Sequence, residues 1–163
     1  MLSQILTNTP KWVFVLFVVL LALGIVQFRT RTMPLRRVII MPIVFLALSL
    51  SGVVTAFGWS AEPLVAWAAG YMLIAWLMVQ GLPSQGHSYD ATTRKFTVAG
   101  SSLPLALMMG IFFLKYFVGV SKGIHADFTE QAFFPIGIAL LYGAFSGAFA
   151  GRAWRLIRLT RKI

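Results

Sequence analysis

An all-α bundle of five transmembrane helices is the fold class predicted by three features of this sequence. Of its 163 residues, 59% are hydrophobic and only 11% are charged, whereas an ordinary soluble domain carries roughly a quarter charged residues. A soluble chain this apolar would turn large contiguous apolar patches toward water. Five apolar runs occupy most of the chain, at about 12–28, 38–58, 63–82, 103–120 and 132–156, each near the roughly 20 residues that cross a bilayer. Basic residues fall at alternate junctions between the runs, the pattern that sets insertion orientation. Residues 1–163 are therefore expected to form a single transmembrane domain.

The first run, Trp12 to Phe28, contains no charge; Lys11 precedes it and Arg29, Arg31, Arg36 and Arg37 follow it. A signal peptide has its basic residues before the apolar run and small residues at the cleavage site, so a retained helix is predicted. The second run carries Pro42 near its start, where helix amides lack partners and a proline is tolerated. A very short linker then leads to the third run, which predicts an antiparallel helix pair. The one long polar stretch, residues 83–102, reads PSQGHSYDATTRKFTVAGSS. Ser88-Tyr89 and Lys95-Phe96-Thr97-Val98 are strand-like, with Asp90-Ala91-Thr92-Thr93 between them as a turn. A small β-hairpin between helices 3 and 4 is predicted, and a disordered connector is the alternative.

Orientation follows from charge. Arg29, Arg31, Arg36, Arg37, Arg94, Lys95, Arg152, Arg155, Arg158, Arg161 and Lys162 collect on one side, against Lys11 and Lys122 on the other. The positive-inside rule puts the larger set in the cytoplasm, with the N-terminus outside, the C-terminus inside and the hairpin cytoplasmic. Trp12 and Trp59 at the predicted outer boundary and Trp154 at the inner one fit the depth that amphipathic rings favour. Trp67 and Trp76 lie deeper and are expected to pack.

Several function classes are disfavoured. The net charge of +10 does not signal nucleic-acid binding, because the basic residues flank apolar runs instead of forming a face; anionic lipid headgroups are the expected partner. There is no cysteine, which removes disulfides, thiolate nucleophiles, cysteine zinc sites and iron–sulfur clusters. No nucleophile–base set or phosphate-binding glycine loop appears, and Glu62, Asp90, Asp127 and Glu130 all lie in loops or at run edges. No catalytic residue, metal or cofactor is expected. His125, Asp127 and Glu130 are metal-capable types, but their spacing matches no specific site.

Three features are candidate sites. Gly143, Gly147 and Gly151 recur every four residues, with Ala144 and Ala148 beside them, and form a smooth ridge that permits close backbone approach in lipid. Its partner is another helix of the same chain or a second copy in a homo-oligomer. Ala47, Ser51 and Thr55, widened by Gly52 and Ala56, repeat that spacing more weakly, which makes the second helix a candidate partner. Lys115 is the ionisable residue well inside a run. Such charges suggest a ligand or ion role, but at roughly 8 Å from the predicted outer end a lysine can also snorkel to the interface. Arg152, Arg155, Arg158, Arg161 and Lys162, with Trp154, Leu156, Ile157 and Leu159 between them, read as an interfacial continuation of the fifth helix against anionic headgroups.

The layout also resembles the CcdC-like family of small bacterial membrane proteins, named from an operon linked to cytochrome c biogenesis. The residues that carry the likeness are Pro34 in a basic loop before Val38-Ile39-Ile40-Met41-Pro42, and Tyr89-Asp90 through Arg94-Lys95-Phe96 leading into Gly100-Ser101-Ser102-Leu103-Pro104-Leu105. Phe112-Phe113-Leu114-Lys115-Tyr116 and the helix end at Gly151-Arg152 complete it. The resemblance implies a five-span bundle in the bacterial inner membrane and no particular activity. Lacking cysteine, this chain cannot itself relay thiols. The expected function is a non-catalytic accessory, scaffold or lipid- or small-molecule-binding bundle; a small oligomeric transporter or channel is the alternative.

Overall fold

The computed structural model describes residues 11–81, 88–90, 95–98, 100–124 and 126–159. In chain order these form α1 (Lys11–Ile25) with a 3-10 turn (Val26–Phe28), β1 (Arg31–Pro34), α2 (Leu35–Phe57), α3 (Ala61–Gly81), β2 (Ser88–Asp90) and β3 (Lys95–Val98). They continue with α4 (Leu103–Gly123), a second 3-10 turn (Asp127–Glu130) and α5 (Phe133–Leu159).

Helices α2 to α5 are each long and apolar enough to cross a membrane, which points to a membrane protein. Helix α1 is shorter. Its apolar part, Val13–Ile25, rises roughly 20 Å against a hydrocarbon core about 30 Å thick. Among the described residues, then, four of the five expected runs are helices long enough to span and the first is a shorter apolar helix. The chain tightens into a 3-10 turn at Val26 and then pairs as β1, so the end of the first apolar run is not α-helix.

Other boundaries shift for local reasons. Helix α2 starts at Leu35 behind Pro34, which holds an extended ψ of 153°. Pro42 consequently lies about two turns inside, where it withholds the amide that would bond to the Val38 carbonyl. The helix stops at Gly58, whose φ of 71° is a left-handed conformation open to glycine; its N–H bonds to the Val54 carbonyl at 2.9 Å. Helix α4 runs on to Gly123. There Lys122 donates to the Ala56 carbonyl and lies 4.7 Å over the Phe57 ring, placing a cation at the negative end of α2.

Helix α5 is the centre of the bundle. Helix α3 runs parallel to it, with Trp67, Tyr71 and Ala75 opposite Gly143, Gly147 and Gly151. Helix α2 runs antiparallel: Phe45 stacks on Phe149 at 4.0 Å, and Phe57 meets Phe134 edge-on at 6.0 Å. Helix α4 joins through Leu107, Met108, Ile111 and Val118. Helix α1 lies outside, against α4, through Phe17 on Phe112 and Phe113 and through Gly24 on Leu105. Large apolar side chains of all five helices face outward, among them Val18, Ile43, Leu73, Trp76, Phe113 and Leu140. Such a surface is what lipid covers.

The strands form one antiparallel sheet in the order β1-β3-β2, with Arg31 opposite Val98 and Pro34 opposite Lys95, and with Ser88 opposite Thr97 and Asp90 opposite Lys95. Of the turn expected at Asp90-Ala91-Thr92-Thr93, Asp90 ends β2 and the other three lie outside the described residues. Phe96 and Val98 are buried in a second small core with Val38, Ala153 and Leu156. The sheet thus closes the end of the bundle where α2 and α4 begin and α5 finishes.

Candidate functional site at the sheet-capped end

The two ends of the bundle differ in charge because of chain direction. At the sheet-capped end lie Arg29, Arg36, Arg37, Lys95, Arg152, Arg155 and Arg158, together with Arg31 of β1. One acid is near, Asp90, opposite Lys95 in the strand register. The other end carries Lys11 and Lys122 with Glu62, Asp127 and Glu130, all exposed.

The cations of the sheet-capped end do not behave alike. Arg29, Arg36, Arg37, Lys95 and Arg158 are exposed. Arg152 and Arg155 are half-buried. A guanidinium nitrogen of Arg152 lies 3.3 Å from Ser101 Oγ ahead of α4, and one of Arg155 lies 3.5 Å from the Met78 carbonyl in the last turn of α3. The negative end of a helix dipole suits that second position. These two arginines therefore tie α5 to its neighbours, while Ala153 and Leu156, each next to one of them, are buried against the sheet. Arg161 and Lys162 lie outside the described residues. Arg36 and Arg37 occupy the first turn of α2, which contains no acid and no side-chain cap. Cations there face the positive end of the helix dipole, an arrangement that costs a few tenths of a kcal/mol to about 1 kcal/mol each.

The glycine ridge faces α3 of the same chain. A methyl group added at Gly143 would fall 2.0 Å from the Trp67 carbonyl oxygen, and one at Gly147 2.3 Å from that of Tyr71. At Gly151 it would meet Met78 Cβ at 2.6 Å. Across the seam, Gly70 of α3 approaches the Leu140 carbonyl in the same manner, at 2.4 Å. Helix α2 lies on another flank of α5, and its small residues divide. Gly52 is buried beneath the Tyr142 ring and Ala56 is half-buried, whereas Ala47, Ser51 and Thr55 are exposed. The Ser51 and Thr55 hydroxyls bond back to their own helix, at Leu48 and Ser51 carbonyls, as such residues do where no neighbour competes. The inward face of α2 is instead Phe45, Ser49, Gly52 and Val53.

Ser49 is part of a buried polar clasp that spacing did not reveal. Trp67 Nε1 donates to Ser49 Oγ at 2.7 Å, and Ser49 Oγ donates to the Tyr142 carbonyl at 2.8 Å. Ser146 Oγ lies 3.0 to 3.2 Å from the Gly143 and Tyr142 carbonyls and Ser49 Oγ. Three helices, α2, α3 and α5, are thereby linked inside the apolar bundle. Ser49→Ala is expected to strand the Trp67 N–H and lower stability by about 1–2 kcal/mol. Ser51→Ala, outside the clasp, is expected to change it by less than about 0.5 kcal/mol. Unfolding in mixed micelles measures both, and equal effects would mean that the clasp does not hold the three helices together.

Lys115 is exposed on α4. With the helix running to Gly123, it lies roughly 12 Å from that end, deeper than its position in the apolar run suggests. Trp67 packs within the bundle, but Trp76 is exposed, contrary to the packing expected of it. Among the described residues no cluster of three or more His, Asp or Glu side chains could hold a metal ion.

A family model described as a family of unknown function, DUF6622, matches residues 1–163. The chain belongs to that family. No curated protein and no solved structure matches it. For this DUF6622 member, the charged sheet-capped end and the interior seams are the features from which a function has to be read.

Proposed function

We propose that this protein is a non-catalytic bundle of the bacterial inner membrane that holds its basic, sheet-capped end against anionic lipid headgroups on the cytoplasmic side and acts there as a scaffold or lipid-binding accessory. The observation that carries this reading is the concentration of exposed cations on one end, Arg29, Arg36, Arg37, Lys95 and Arg158, against one acid there and three acids at the other end. Juxtamembrane cations gain about 1 kcal/mol each near an anionic surface, and cytoplasmic loops carry the excess of Lys and Arg. In this orientation the N-terminus is outside, the C-terminus and sheet are cytoplasmic, and the first crossing runs through α1 and its 3-10 turn. The resemblance to CcdC-like proteins supports the same membrane.

The test joins topology to lipid. A reporter that is active only in the cytoplasm, fused after Ile163, is expected to be active, and one fused ahead of Met1 inactive. The purified protein is expected to keep phosphatidylglycerol in preference to phosphatidylcholine on native mass spectrometry. Reversed reporters, or no preference between the lipids, would overturn the reading.

A further inference from the structure

We infer that the exposed cations at the start of α2 form a binding site for a lipid headgroup carrying two phosphates, and that Arg152 and Arg155 are not part of it. The inference rests on the lipid-facing reading above and narrows it to a residue set and a headgroup chemistry. Arg36 and Arg37 are exposed and adjacent in an α-helix, so their side chains leave the axis about 100° apart. Side chains so disposed do not face each other, which leaves each guanidinium fork open to a phosphate of its own. A phosphodiester offers two non-ester oxygens, which one fork occupies, so two such arginines take two phosphates. The third exposed cation is Lys95. Its Cα is the ladder partner of Pro34, about 5 Å away, which puts it beside the first turn of α2.

Two separate single-phosphate lipids would also match the arginines, but a headgroup that joins the phosphates makes the second contact intramolecular. That gain comes from effective concentration and needs no further contact. Arg152 and Arg155 are half-buried, beside Ser101 and the Met78 carbonyl. They lie within the helix packing instead of on the open rim, so the arginine-rich end of α5 contributes less to lipid than its sequence suggests.

The experiment is native mass spectrometry of the full chain in mild detergent, with diphosphatidylglycerol, phosphatidylglycerol and phosphatidylcholine supplied at equal concentration. Diphosphatidylglycerol is expected to be retained about tenfold over phosphatidylglycerol. Arg37→Gln alone is expected to erase that difference, and Arg36→Gln/Arg37→Gln to bring both anionic lipids close to phosphatidylcholine. Both variants change exposed side chains, and an unchanged melting temperature will verify their fold. Equal retention of the two anionic lipids in the wild type would overturn the two-phosphate site while leaving the broader lipid-facing reading intact. Failure of both to exceed phosphatidylcholine would overturn the two together. An undiminished preference in the double variant would place the site elsewhere, and displacement of the lipid by equimolar inorganic pyrophosphate would assign the cations to a soluble anion.

Discussion

Gly143→Ala is expected to destabilise the helix bundle by about 3 kcal/mol or more. Overpacking a well-filled interior costs typically 1–3 kcal/mol when side chains can give way. Here the added carbon would lie 2.0 Å from the Trp67 carbonyl oxygen and 2.9 Å from both the Trp67 carbonyl carbon and the Tyr71 nitrogen. All three are backbone atoms of α3, so relief requires the two helices to separate. Separation would also loosen the neighbouring contacts at Gly147 and Gly70, which meet backbone carbonyls in the same seam. In lipid the apolar solvent offers no compensating drive to hold the helices together. Gly137 lies in the same helix with nothing within 4 Å of an added methyl group. Gly137→Ala is therefore expected to be neutral or to stabilise by up to about 1 kcal/mol through helix propensity. Unfolding free energies in mixed micelles measure the pair, and two equal results would mean that the α3–α5 seam does not hold the bundle.

Phe96→Ala is expected to have an effect of similar size, and a local one. Phe96 is fully buried, with 0% of its surface exposed, against Val38, Ala153 and Leu156. Truncating a buried phenylalanine costs about 3–5 kcal/mol. Phe96 is the largest buried side chain among the described residues of the sheet, so without it the sheet should detach from α5. Amide exchange is expected to rise across residues 95–98 and 152–159, while the amides of α3 beside the glycine ridge keep their protection. A rise spread evenly through α3 and α5 would mean that the sheet and the bundle open as one cooperative unit.

The four long helices were legible because each depends on a run of apolar residues and on little else. The first run shows the limit of that reasoning. Its residues are apolar enough for a span, but the helix gives way at Val26 because the chain that follows is committed to β1. Strand β1 itself left no readable sign: Arg31-Thr32-Met33-Pro34 is short, ends in proline and lacks an apolar alternation. It becomes a strand because Lys95-Phe96-Thr97-Val98, distant in sequence, supplies a partner edge. The small-residue strip Ala47, Ser51 and Thr55 had a spacing suited to close packing, yet those side chains are exposed. Spacing defines a helix face without saying what will cover it. Ser49 and Ser146 carried no distinctive pattern at all, since their importance comes from the Trp67 N–H that meets them from a third helix.

Three properties followed from the sequence alone: the apolar lengths of the long helices, the unequal charge of the two ends and the glycine ridge. Each is a sum over neighbouring residues, of transfer free energy, of charge or of side-chain volume, and such sums do not depend on the fold. The tertiary structure decided that α3, running parallel, covers the ridge, that β3 lies between two strands, and that Arg152 and Arg155 turn to the helices while Arg36 and Arg37 stay open. These outcomes depend on which distant surfaces fit. Between helices that are all equally apolar, hydrophobicity does not select a partner; the choice falls to backbone approach at the glycines and to the few hydrogen bonds that reach across.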